Sequence, residues 1–242
     1  MIVRLKHSIG FSFLFLFMFV SFNAAFAQQG DTSKTTPSAF QRSGSRSILL
    51  SCTVPVLTTG YGIAAYYPET VVIDRFNTYD YFRKRYPNFY SPADNYLQFA
   101  PAAATFSLSL CGVKGKHSLS EQVILYASSM LVSEGIATGL KYATHVLRPD
   151  NSAYNSFPSG HTTSAFTGAE LMNQEYKGSS FLYSVFGYGT ATATGVMRMM
   201  NNRHWLSDVM VGAGIGMIST KVVYAVYPFV KKRLMRRKSK DL

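Results

Sequence analysis

The chain has 242 residues, with 24 Lys and Arg against 12 Asp and Glu, and a formal net charge of +12. That length suits one domain and excludes two of ordinary size. Apolar residues make up 47% and the mean hydropathy is +0.05, lower than expected of a chain built almost wholly of membrane spans, so composition leaves soluble and membrane classes both open.

Residues 1–27 read as a secretory signal peptide, with an uncleaved first membrane helix as the alternative. Arg4 and Lys6 form a basic start, an apolar run follows from Ile9 to Val20, and Ala25-Phe26-Ala27 offers a small-x-small cleavage pattern. The mature chain is then expected to begin at Gln28. From 28 to 47 Ser, Thr, Gln and Gly prevail without apolar periodicity, which predicts a disordered leader.

Helical signals dominate the rest, and no run alternates convincingly as a strand. Candidate apolar helices lie near 48–66, 95–112, 121–146, 162–175, 180–199 and 206–229, giving one all-α bundle over 48–230. Pro55 and Gly60 mark the first as packed or interfacial rather than crossing. Between the first two, Arg75 to Tyr86 alternates aromatics and bases. That pattern suits an interfacial segment, a lid over an anionic substrate, or equally an exposed amphipathic helix. Gly212-Ala213-Gly214-Ile215-Gly216 predicts close approach of helix backbones.

The tail from Lys231 to Leu242 carries seven bases and one acid directly after the apolar stretch Val209 to Val230. Beside such a stretch, a cytoplasmic location and anionic lipid explain the bases better than nucleic acid does. No nucleic-acid partner is expected. Cys52 and Cys111 are too few for a disulfide framework, and nothing in the sequence pairs them.

Three clusters carry candidate chemistry. Lys141 and Arg148 are seven apart, two turns of a helix that Pro149 would stop, so both are expected on one helical face. Pro158-Ser159-Gly160-His161 reads as a helix start, whose free N–H groups and dipole favour an anion. His161 at its edge is a candidate proton donor to a leaving oxygen. His204 and Asp208 are four apart and expected on one helical face, where the carboxylate would hold the imidazole in one tautomer. Arg198 adds a fork of donors suited to phosphate oxygens. His117 and His145 fit no such role and read as structural or surface residues.

Each cluster alone is also compatible with a solvated stripe, a capped helix or a surface His–Asp pair. In this order and spacing, the three together resemble the type 2 phosphatidic acid phosphatase family, whose active site is shared with vanadium haloperoxidases. The family pattern is Lys, six residues, Arg-Pro; Pro-Ser-Gly-His; then Ser-Arg, five residues, His, three residues, Asp. Lys141, Arg148 and Pro149 fit the first part, Pro158 to His161 the second, and Arg198, His204 and Asp208 the third. Met197 stands where the family has Ser, which removes one hydroxyl donor to phosphate. The resemblance covers about residues 95–229.

The resemblance implies a phosphatase working through a phosphohistidine. His204 would attack phosphorus, Asp208 would orient it, and His161 would protonate the leaving group and then activate water. Lys141, Arg148, Ser159, Gly160 and Arg198 would hold the phosphoryl oxygens. A fixed cage of cations and N–H groups would stand in for magnesium, so neither a metal nor a cofactor is expected. The same motifs allow three alternatives: a soluble periplasmic acid phosphatase, a vanadate-dependent haloperoxidase, and a lipid-binding or structural membrane protein with a degenerate site.

With the leader outside the cytoplasm, five crossings put all three motifs on the outer face. The basic loop Val113 to His117, Lys177 and the tail then lie inside. This predicts an inner-membrane enzyme facing the periplasm of a Gram-negative bacterium, acting on a lipid phosphate. Lipid A is favoured because segment 75–86 suits a large anionic headgroup. Undecaprenyl diphosphate and phosphatidyl phosphates come next.

Overall fold

A computed structural model describes residues 43–238. The expected signal peptide, the leader up to residue 42 and residues 239–242 of the tail lie outside the described residues. Among the described residues there are eight helices and no strand: α1 (Ser43–Ala64), α2 (Arg75–Arg85), α3 (Asp94–Leu97), α4 (Ala100–Leu110), α5 (Leu119–Thr144), α6 (Gly160–Tyr176), α7 (Phe181–Met200) and α8 (Leu206–Lys238).

Local chemistry fixes several of these boundaries. Asp74 opens α2 by accepting N–H bonds from Phe76 and Asn77, both at 2.8 Å. At the start of α5, Glu121 reaches back to the Ser118 N–H and hydroxyl at 3.2 and 2.9 Å. His145 ends α5 in the left-handed region, with φ of 47°. A residue in that conformation cannot continue a helix. The expectation that Lys141 and Arg148 share one helical face is therefore overturned: the helix stops at Thr144, and Arg148 lies in the loop to α6. Likewise His204 precedes α8, whose first residue is Leu206, so His204 and Asp208 do not share a helical face.

α6 is the central element, packed against α4, α5, α7 and α8, while α1 lies along the other side of α8. The main apolar cluster joins Phe166, Ala169, Tyr188, Leu206, Val209, Met210 and Met217 with Phe82 of α2. The close approach expected of the small residues is present. A Cβ at Gly212 would stand 2.7 Å from the Ser159 carbonyl, and one at Gly216 would stand 2.5 Å from that of Thr163. Gly214 faces the opposite way, toward Pro55 and Thr59 of α1.

The end of the bundle far from the three motifs is tied by buried polar groups. Lys221 Nζ lies 2.7 Å from Glu170 Oε1, and the Tyr188 hydroxyl donates to the other oxygen of that carboxylate. Glu175 accepts from the backbone N–H of His117 at 2.8 Å, faces its Nδ1 at 2.7 Å, and takes the Tyr224 hydroxyl. His117 thus has a structural role, and His145 is a helix terminator. Cys52 and Cys111 are both free thiols.

Among the described residues two helices are long and apolar enough to cross a membrane: α5, with a mean hydropathy of 1.4, and α8 over Leu206–Leu234, at 1.6. Only 22% of the α5 stretch is buried, against 67% for α8. α5 therefore turns an apolar face outward, with Val123, Ile124, Leu131 and Ile136 exposed, while α8 serves chiefly as a core helix. α4 has 11 residues, roughly 16 Å of helix and about half of a bilayer core. α8 is longer than expected and carries the basic run from Lys231 to Lys238 as helix.

Candidate active site

Antiparallel packing gathers the three motifs at one end of the bundle. Lys141 comes from the last turn of α5, Ser159 to His161 from the start of α6, Arg198 from the last turn of α7, and Asp208 from the first turn of α8. Arg148 and His204 sit in the loops that enter α6 and α8. Sequence-distant cations therefore converge: Arg198, Arg148 and Lys141 all act electrostatically on His161, and Arg198 and Lys141 act on His204.

The start of α6 is built as an anion-binding corner. Ser159 is fully buried and is the N-cap, its hydroxyl accepting from Thr162 N at 3.4 Å and Thr162 Oγ1 at 2.9 Å. Its own backbone N–H is held by the Asp208 carbonyl at 3.0 Å, which fastens this corner to α8. A peptide bond in the cis form joins Phe157 to Pro158. Lys141 Nζ grips the same corner through the carbonyls of Asn155, at 2.9 Å, and Pro158, at 2.5 Å. Arg148 Nε donates to Asn155 Oδ1 at 2.8 Å. The free N–H groups of the first α6 turn, with two cations beside them, suit an oxyanion.

His204 is 3% exposed. Its Nδ1 faces Asp208 Oδ2 at 3.4 Å, within ion-pair range but without a hydrogen bond. That carboxylate oxygen is engaged by the Ser156 hydroxyl and by the Trp205 N–H at 2.9 Å. The pairing is therefore electrostatic, with Asp208 anchored from its own side. Burial, and then the field of Arg198 and Lys141, holds the His204 imidazole down at about 4, against the opposing pull of Asp208. At neutral pH the ring is neutral, with a nitrogen lone pair to offer.

His161 is also lowered to about 4, first by burial and then by Arg198, with Asp94 opposing. Arg148 is lowered by burial and by Arg198. Arg203 Nη1 pairs with Asp150 at 2.9 Å, and the Trp205 indole N–H donates to the Leu147 carbonyl at 2.9 Å. Together these bonds pin the loop between α5 and α6 to the entry of α8.

Four residues that the motifs did not indicate belong to this cluster. Asp94, 1% exposed, pairs with Arg198 Nη1 at 2.9 Å and accepts from Asn201 Nδ2 at 3.0 Å. Asn95 Oδ1 lies 2.9 Å from His161 Nε2. Ser156, fully buried, holds Asp208, and Asn155 bridges Lys141 and Arg148. The available signal for Asp94 is scarcity, since it is one of only 12 acids in a basic chain. Arg198 Nε is buried without an acceptor, a donor left over for an oxyanion.

α2 covers the rim. Phe76 and Tyr79 pack on Trp205 with ring centres 5.6 and 5.4 Å apart, and Arg75 lies over the rings of Tyr66 and Phe76 at 4.1 and 4.6 Å. Arg83 donates to the Met200 carbonyl. Beside this rim, Ile63, Tyr66, Tyr67, Thr144, Val146 and Phe157 line an apolar cavity of about 310 Å³. Among the described residues no three His, Cys, Asp or Glu side chains converge as a metal-ligating group.

The PAP2 superfamily model matches residues 122–232, which include all three motifs. A 138-residue stretch is 41% identical to a lipid A 1-phosphatase of Porphyromonas gingivalis, covering 57% of this chain and 31% of that protein. The chain thus spans about a third of the length of the curated relative it matches. Among solved structures, Aquifex aeolicus LpxE aligns with a TM-score of 0.47 at 20% identity, over 60% of this chain and 93% of that one.

Proposed function

We propose that this protein, whose residues 122–232 match the PAP2 superfamily model, is a phosphatase of lipid phosphates, with lipid A as its substrate. The observation that carries the reading is the convergence of a neutral, buried His204 with His161 and the cations Lys141, Arg148 and Arg198. The 41% identity to a lipid A 1-phosphatase supports the choice of lipid.

In this mechanism the phosphate sits at the start of α6, with its oxygens held by the N–H of Gly160, by Lys141, Arg148 and Arg198, and by the Ser159 corner. Arg198 offers it the Nε that has no acceptor, while its Nη1 stays on Asp94. The His204 nitrogen remote from Asp208 attacks phosphorus while His161 gives a proton to the leaving oxygen. Asp208 stabilises the positive charge that develops on His204. Water activated by His161 then releases phosphate. The cation cage does the electrostatic work that a metal does elsewhere.

The proposal extends to the inner membrane, with the site toward the periplasm. Support comes from the outward apolar face of α5 and from the charge distribution along the bundle. Lys114, Lys116, Lys177, Lys231, Lys232 and Arg233 all belong to the end opposite the site, as a cytoplasmic end requires. A reporter fused after Leu242 and active only in the periplasm would overturn this orientation.

The test of function is phosphate release by detergent-purified protein, in EDTA, from lipid A, undecaprenyl diphosphate and phosphatidic acid. Release from lipid A is expected, falling by roughly 10³-fold or more in His204→Ala. No release from any lipid would refute the proposal.

A further inference from the structure

A histidine that both gives and takes a proton must present the same nitrogen to the substrate in each step, and its other nitrogen decides which one that is. His161 Nε2 lies 2.9 Å from Asn95 Oδ1. Among the described residues Nδ1 has no hydrogen-bond partner. Asn95 itself is exposed, yet its backbone is fixed by its neighbours. Asp94 is held by Arg198 and Asn201. Ser91 and Asn201 exchange two hydrogen bonds, Ser91 N to Oδ1 at 2.9 Å and Nδ2 to the Ser91 carbonyl at 2.8 Å. Gln98 Nε2 holds the Asn95 carbonyl at 2.8 Å. The α3 turn is thus strapped to the end of α7, and it delivers Asn95 to the ring.

We propose that Asn95 is a positioning residue for His161: Oδ1 accepts the Nε2 proton, fixes the neutral ring as the Nε2–H tautomer, and leaves Nδ1 to exchange protons with the reacting oxygen. The assignment rests on the phosphatase reading above. Protons balance on this arrangement. In the first step the P–O bond breaks, the Nδ1 proton passes to the leaving oxygen, and the ring stays on Asn95 as the Nε2–H form. In the second step Nδ1 takes a proton from the attacking water, the P–N bond to His204 breaks, and its electron pair returns to that ring. Nε2–H never leaves its acceptor. An amide serves here better than a carboxylate, because it orients the ring without holding it cationic.

The charged groups that face His161 are Arg198 from α7, Asp94 from α3, Arg148 from the α5–α6 loop, and Lys141 from α5. Glu134 of α5 also lies close to the first turn of α6, holding Ser164 at 2.8 Å. None of these meets Nε2 directly.

The experiment pairs Asn95→Ala and Asn95→Asp with wild type and reads two quantities. The first is kcat and KM for lipid A in EDTA. The second is the ¹⁵N spectrum of the His161 ring in detergent, across pH, which needs no substrate. Asn95→Ala should lose about 10- to 100-fold in kcat with KM within about threefold, and should lose the single Nε2–H tautomer. Asn95→Asp should keep that tautomer and titrate His161 at least about one unit higher, moving the kcat optimum with it. Wild-type kcat in Asn95→Ala, or a wild-type ring that is Nδ1–H, overturns the proposal. If wild type itself releases no phosphate, the functional reading fails, while the ring spectra still decide the tautomer.

Discussion

Ser156 donates its hydroxyl to Oδ2 of Asp208, the same oxygen that faces His204 Nδ1 at 3.4 Å. The carboxylate is thus held from behind by a fully buried serine, with the Trp205 N–H as its second support. In the proposed mechanism, orientation of His204 runs through this contact.

Removing that hydroxyl leaves a charged acceptor short of one donor, a loss of about 1.5–3 kcal/mol for a hydrogen bond to a charged group. Ser156→Ala should therefore lower kcat by roughly 10- to 100-fold with little change in KM, and Ser156→Thr should restore part of it. Steady-state lipid A turnover checks this. Unchanged kcat in Ser156→Ala would remove Ser156 from the orienting chain.

His161 and His204 both sit at about 4, yet the proposed mechanism needs one to react neutral and the other to enter protonated. Going up from that value, the protonated fraction of His161 in the free enzyme falls, while below it His204 becomes charged and loses its lone pair. kcat/KM should peak on the acid side of neutrality and decline toward pH 8. Stability follows a related course. The unfolded chain holds more protons than the folded one between the ordinary 6.5 and about 4, so stability is intact above 6.5 and lost as pH falls through 4. His204→Asn should reduce the pH slope of thermal unfolding over that window and leave the part due to His161. An optimum at pH 8 or above would contradict the burial argument.

Gly212 lies so close to the Ser159 carbonyl that an added methyl must push the N-cap of α6. Gly212→Ala should cost about 1–3 kcal/mol through overpacking, and kcat should fall along with stability because the displaced atom belongs to the corner proposed to hold the phosphate. Gly189→Ala is the control, since nothing lies within 4 Å of its added methyl. It should be neutral or slightly stabilising in thermal unfolding.

Within the basic run of α2, Arg83 is committed to the Met200 carbonyl. Lys84 and Arg85 are exposed, Lys84 making only a surface pair with Asp80 at 3.3 Å. Lys84→Ala with Arg85→Ala should raise KM for lipid A severalfold and leave that for p-nitrophenyl phosphate unchanged, since surface charges act mainly on approach of an anionic partner. Equal effects on both substrates would point to a packing defect.

The helices were legible because long apolar runs and their caps are local signals, and the three motifs were legible because their spacing is. Arg148 was misplaced because the stop came four residues earlier than Pro149, at a left-handed His145 that carries no glycine to announce it. Asp94, Asn95 and Ser156 escaped for a different reason. Asp94 meets Arg198 from 104 positions away, and Ser156 meets Asp208 from 52. Only the antiparallel return of α7 and α8 brings such partners together, and no local pattern encodes it. Segment 75–86, for which the sequence left an interfacial stretch, a lid and an amphipathic helix open, forms a helix over Arg75–Arg85, anchored by Phe76 and Tyr79 on Trp205.

The ion pair between Lys221 and Glu170 acts on the site without touching it. Lys221 is 13 residues beyond Asp208 on α8, roughly 20 Å along the axis. Sliding α8 by one turn, about 5.4 Å, would strand both buried charges, whereas its apolar and glycine contacts alone leave the sliding coordinate softer. The same displacement would carry Asp208 away from His204 and Ser156. The far-end charges thus work as a registration mark, setting the axial position at which α8 locks and keeping His204 and Asp208 in line.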